Sequence, residues 1–122
     1  VEQVSQVQVR VEIDPEAEEI LTGEEAREFV TIAREALSNC VSHARATRIV
    51  IALQRIGSRV QLSIRDNGLG FDVKHGPAKS IGFAQMEDRV RKIGGRLEVQ
   101  STVGRGTSIT AEVYIEPILT TV

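Results

Sequence analysis

Between Glu24 and Ala44 the apolar residues Phe29, Ile32, Ala33, Ala36, Leu37, Cys40, Val41 and Ala44 recur at helical spacing, while the flanking segments alternate with a period of two. One long amphipathic helix between alternating strands cannot bury its stripe alone, so it must lie on a sheet. Ahead of it, Gln6 to Ile13 places Val7, Val9, Val11 and Ile13 on one side, which predicts a half-buried strand ended by Pro15 and the acidic run Glu16 to Glu19. Thr22 followed by Glu25 has the form of a capping box and opens the helix, predicted over 24–44. Behind it, Thr47 to Gln54 and Val60 to Arg65 read as strands joined at Gly57-Ser58. Asp66 to Ser80 is rich in glycine and proline and has no period, so it reads as a loop. Phe83, Met86, Val90 and Ile93 predict a second helix that stops at Gly94-Gly95. Two last strands, Arg96 to Ser101 and Thr107 to Ile115, flank the turn Gly104-Arg105-Gly106. The order β-α-β-β-α-β-β predicts an α/β sandwich with helices on one face of a mixed sheet.

Composition narrows what such a sandwich can do. The 122 residues suffice for one domain with one core. A single cysteine excludes a disulfide framework and a cysteine-based zinc site, and it suits a reducing compartment. Three Phe, one Tyr and no Trp give no aromatic platform for single-stranded nucleic acid. No run approaches the length of a membrane span and no signal-peptide pattern opens the chain, so a cytoplasmic domain without direct membrane contact is expected. The start at Val1 suggests a piece of a longer chain. Residues 1–40 carry ten acids against three bases, whereas 41–122 carry seven acids against twelve bases. The basic part is where an anionic ligand is to be sought, although the excess is too mild to imply nucleic acid.

Four segments carry polar chemistry. Glu35, Asn39 and His43 recur every four residues along the edge of the helical stripe. A carboxylate there can orient or deprotonate a nucleophile, and an amide oxygen is a hard ligand for Mg²⁺; a solvated helix edge is the plain alternative. Asp66-Asn67-Gly68-Leu69-Gly70 stands at a strand end, where a carboxylate can accept the amino group of adenine, although the same residues also make a turn. Ser80-Ile81-Gly82 precedes the second helix, whose first N–H groups at Gly82 and Phe83 can face a phosphate with Lys79 beside it. Gly104-Arg105-Gly106-Thr107, taken alone, is a hairpin turn.

In order and spacing these four segments resemble the N box, G1 box, G2 box and terminal G-x-G-T of the ATP-binding domain of sensor histidine kinases, within the gyrase, Hsp90, histidine kinase and MutL superfamily. The segments are R-E-A-L-S-N-C-V-S-H-A, then D-N-G-L-G-F-D, then I-G-F-A-Q-M-E-D-R-V-R-K-I-G-G, then G-R-G-T, and the likeness covers about residues 25–115. The stretch M-x-x-R-V-x-x-x-G-G is similar to kinases that phosphorylate NarL-type response regulators. The resemblance implies a two-layer Bergerat sandwich with a short lid over the nucleotide at about 71–81. It implies that ATP or ADP and Mg²⁺ bind, with Asn39 as the metal ligand and Glu35 as the acid that assists in-line transfer. His43 matches a position close to the phosphates, Asp66 the adenine-reading aspartate, Gly68 and Gly70 the glycines shaping that pocket, and Thr107 a hydroxyl behind the base. Gly82 would meet the phosphates. Ser80 and Gln85 depart from the family pattern, which favours glycine there, and both crowd the end of the lid.

A histidine kinase also needs an acceptor histidine. The chain holds only His43, followed by Ala44, and His75, followed by Gly76, and neither has an acceptor's setting. The expectation is a catalytic fragment, with little turnover alone, that phosphorylates a separate dimerisation domain. An anti-sigma-factor-type serine kinase and a non-catalytic nucleotide-binding module remain as alternatives.

Overall fold

The computed structural model describes residues 7–42, 45–71 and 83–115. Its elements are β1 (Gln8–Ile13), α1 (Pro15–Ile20), α2 (Gly23–Ser42), β2 (Arg48–Ile56), β3 (Arg59–Asp66), α3 (Phe83–Lys92), β4 (Arg96–Ser101) and β5 (Thr107–Tyr114). They build a five-stranded mixed sheet in the order β1-β2-β3-β5-β4. β1 runs parallel to β2, and every other pair is antiparallel.

Alternation decides which side of this sheet is covered. Val60, Leu62 and Ile64 on β3 and Ile109, Ala111 and Val113 on β5 share one face and are buried. α2 lies over β3 and β2 with Phe29, Ile32, Ala36 and Cys40 turned inward. α3 lies over β4 and β5 with Phe83, Met86 and Val90 inward. Side chains as fully enclosed as Ile32, Ile49 and Ile64 each contribute about 1.5–3 kcal/mol relative to exposure. The capping box at the start of α2 is closed in both directions, Glu25 N–H to Thr22 Oγ1 at 3.1 Å and Thr22 N–H to Glu25 Oε1 at 2.9 Å.

Two sequence expectations need correction here. The acidic run after Pro15 does not merely end a strand: it forms α1, with Pro15 in the first turn and Asp14 as N-cap, its carboxylate accepting the Glu16 N–H at 3.0 Å. β1 is not half-buried either. Val9, Val11 and Ile13 are 45%, 57% and 53% exposed, because β1 is an edge strand and the space between it and α2 is left as an open groove. The face opposite the helices is polar. There Glu112, only 4% exposed, accepts the Gln61 amide at 2.7 Å and lies 3.2 and 3.3 Å from the Arg59 and Arg96 guanidinium groups. The Gln61 donation, aided by the two arginines, holds its carboxyl below the usual range despite burial.

Candidate functional site

The sheet presents one end at which β2 begins and β3 finishes, and Asp66 and Thr107 of the predicted polar residues stand there. Asp66 is the last residue of β3 and stands across from Thr107, the first of β5, while Ser101 at the end of β4 faces Thr107 from the other side. Alternation places all three side chains on the helix-facing side of the sheet. The Asp66 carboxylate is held from two directions. Gly68 N–H donates to Oδ1 at 2.8 Å, and the Cys40 thiol of α2 donates to Oδ2 at 3.2 Å. Burial, then the Asp66 bond and its negative charge, push the Cys40 thiol far above its ordinary value, so it stays protonated.

Behind Asp66 the hydroxyls of Ser101 and Thr107 lie 2.8 Å apart. Ser101 Oγ also accepts the Phe71 N–H at 2.9 Å and donates to the Gly106 carbonyl at 3.1 Å. Its single proton is then committed, so the Thr107 hydroxyl donates to Ser101 and keeps its own lone pairs for the hollow. Gly70 and Gly106 adopt left-handed φ of 66° and 84°. They also allow a close approach: a Cβ on Gly70 would run into the Thr102 carbonyl, and one on Gly106 into the Asp66 carbonyl. Asn67 staples this turn to the start of β2, its Oδ1 accepting from Thr47 N–H and Arg48 N–H, each at 2.9 Å. Around the end of the sheet runs a polar hollow of about 270 Å³, lined by Asp66, Ser101, Thr107 and Gly106, by Arg65, Gln100 and Ser108 from the opposite face, and by the exposed Arg105.

Asp66, Gly68, Gly70 and Thr107 are therefore brought together at this end of the sheet. Glu35 is exposed and lines a neighbouring cleft between α2 and α3 with Thr31, Gln85, Met86 and Arg89. Gln85, a departure from the family pattern, thus faces the cleft of Glu35. Asn39 is half-buried, one residue before Cys40. Phe83 is the first residue of α3; its ring is buried 5.6 Å from that of Phe71, which leaves the backbone of the first turn as its means of meeting a ligand. His43, Lys79, Ser80 and Gly82, with most of the expected lid, lie outside the described residues. Sequence reasoning missed Cys40 as a partner of Asp66, Asn67 as a staple, and Ser101. The signal for Ser101 was available, since a hairpin about Gly104 sets it opposite Thr107.

Among the described residues no three His, Cys, Asp or Glu side chains cluster as a metal cage. A magnesium ion held by one asparagine oxygen and by phosphates needs none, so the donor set fits that chemistry. A separate apolar groove of about 250 Å³, lined by Val11, Ile13, Phe29, Val30 and Leu53, lies at the opposite end of the sheet. No helix among the described residues is long and apolar enough to cross a membrane.

Residues 24–117 match the family described as histidine kinase-, DNA gyrase B- and HSP90-like ATPases. The chain belongs to this family. It is 40% identical over 86 residues to the sensor histidine kinase LiaS of Bacillus subtilis, covering 70% of this chain and 24% of LiaS. It is 28% identical over 103 residues to the nitrate/nitrite sensor protein NarX of Escherichia coli, covering 84% of this chain and 17% of NarX. A blue-light activated histidine kinase of Erythrobacter litoralis superposes with a TM-score of 0.71 at 19% identity, covering 93% of this chain and 36% of that one. The chain thus spans a quarter or less of the length of these curated relatives. The fold is that of the ATPase domain of histidine kinases, a Bergerat-type α/β sandwich.

Proposed function

We propose that this domain binds ATP with Mg²⁺ and catalyses transfer of the γ-phosphoryl group to a histidine on a separate dimerisation domain, for relay to an aspartate of a NarL-type response regulator. In this reading the P–N bond forms at the acceptor imidazole as the bond from the γ-phosphorus to the bridging oxygen breaks, releasing ADP. The protein's task in such a transfer is to hold the groups in line and neutralise charge. Asp66 accepts the amino group of adenine, Gly68 and Gly70 shape the pocket and Thr107 supports it from behind. Asn39 offers its amide oxygen to magnesium, which when bound neutralises phosphate charge. Glu35 orients the attacking group. Phe83, with Gly82, Lys79 and His43, serves the phosphates. The domain works in the cytoplasm.

The observation that carries the reading is the Asp66 carboxylate, fixed between a main-chain N–H and a helix thiol at the end of β3. An acceptor-only group so held selects a ligand that brings a donor, as adenine does and guanine at its carbonyl does not. Calorimetric titration with ADP and ATP, with and without Mg²⁺, tests the binding. Adenine-selective binding strengthened by magnesium is expected, and no binding in any condition refutes it. Mixing the chain with a purified cognate dimerisation domain and radiolabelled ATP tests the transfer, and absence of label on that domain overturns the kinase reading. Label that survives acid would be phosphoserine and would point instead to a serine kinase.

A further inference from the structure

We infer that Cys40 is a positioning residue for base recognition: its thiol proton fixes the Asp66 carboxylate in the orientation that receives the ligand's amino group. This inference rests on the proposed adenine-binding role of Asp66.

Three observations lead there. Cys40 falls on the apolar stripe of α2 and is 3% exposed, a place where a hydrocarbon side chain would satisfy packing. Yet its sulfur lies 3.2 Å from Asp66 Oδ2, while the other carboxylate oxygen is held by the Gly68 N–H at 2.8 Å. One donor comes from the turn and the other from the helix, 26 residues earlier in the chain. With the Gly68 bond alone, the carboxylate could still swing about its Cα–Cβ and Cβ–Cγ bonds; the second donor, on a rigid element, fixes its plane. A thiol suits this position because it packs as a small apolar group and still offers a proton. In this geometry the thiol proton points at Asp66 Oδ2, so the donor and the acceptor are matched.

The test compares ADP with IDP, whose base has a carbonyl in place of the amino group, on wild type, Cys40→Ala, Cys40→Ser and Asp66→Asn, with thermal unfolding followed in parallel. Losing one modest hydrogen bond should weaken ADP binding in Cys40→Ala by about 3- to 10-fold and leave IDP nearly unchanged, so the ADP/IDP preference narrows. Cys40→Ser, which keeps a donor, should restore the preference even where it lowers the melting temperature. A purely structural thiol would weaken both nucleotides alike, with no rescue by serine. An unchanged ADP/IDP ratio in Cys40→Ala, with the ratio collapsed in Asp66→Asn, overturns the positioning role and leaves the adenine pocket standing. A wild type with no preference for ADP overturns the pocket itself and this inference with it.

Discussion

Replacing Asp66 with asparagine changes one atom of the carboxylate and leaves its volume, so its effect can be worked from the two contacts it makes. In the wild type both oxygens are acceptors, Oδ1 for Gly68 N–H and Oδ2 for the Cys40 thiol. Asparagine keeps one oxygen. If that oxygen stays on Gly68 N–H, the new NH₂ faces both the thiol proton and the ligand's amino group, donor against donor. If it turns to the thiol, the NH₂ confronts Gly68 N–H instead. Either way a part-buried donor loses its acceptor, at a cost of about 1–3 kcal/mol. In the first orientation the loss falls on the ligand and on the Cys40 thiol, so ADP affinity drops roughly 5- to 150-fold and the melting temperature also falls. In the second it falls on the fold. Calorimetry with ADP beside thermal unfolding separates the two. ADP affinity within twofold of wild type, together with an unshifted melting temperature, would show that Asp66 serves neither purpose and refute the reasoning.

Asn39→Ala should abolish magnesium-dependent transfer while reducing ADP binding measured without magnesium by less than about threefold, since one amide bond is at stake; titration in EDTA and in Mg²⁺ checks the split. Ser101→Ala leaves Phe71 N–H and the Gly106 carbonyl without their shared hydroxyl and should lower stability by roughly 1–3 kcal/mol, read from urea unfolding. Glu112 titrates lower in the fold than unfolded, so its contribution is present above the unfolded value of about 4.3 and lost as pH falls through the lower folded value. Glu112→Gln should therefore be less stable than wild type at pH 7, with the difference shrinking below pH 4, as thermal melts across pH would record.

The sheet and its two main helices are legible in the sequence because their periods are unbroken: Val60, Leu62 and Ile64 for a strand, Phe29, Ile32 and Ala36 for a helix. α1 escapes because six residues with one buried side chain, Ala17, are too few to show a period, and Pro15 signals the end of a strand as readily as the start of a helix. The exposure of Val9, Val11 and Ile13 escapes for another reason. Alternation tells which side chains share a face, not whether a helix covers that face. At the site, Asp66, the glycines and Thr107 are found through motif spacing. Their supports are not, since Cys40 reads as core until its neighbour 26 residues on is known, and Asn67 reads as a turn residue until Thr47 and Arg48 are seen beside it. Local pattern reports local geometry, and these contacts are long-range.

Charge and neutral hydrogen bonds divide the work between the two ends of the sheet. The ionic cluster of buried Glu112 with Arg59 and the exposed Arg96 lies toward the end of β5, on the polar face. The contacts that shape the hollow are neutral groups donating to fixed acceptors: a thiol, main-chain N–H groups and two hydroxyls. Around that hollow stand the exposed guanidinium groups of Arg65 and Arg105. Exposed charges act at a distance and are screened by salt, whereas short hydrogen bonds in a part-buried turn are not. Arginine charge can then draw an anion to this end, while the neutral network decides which base it must carry. Raising salt from 50 to 500 mM should accordingly slow ADP association, measured by stopped flow, while leaving the ADP/IDP affinity ratio within about twofold. A ratio that collapsed with salt would mean that the arginines, not the Asp66 turn, read the ligand.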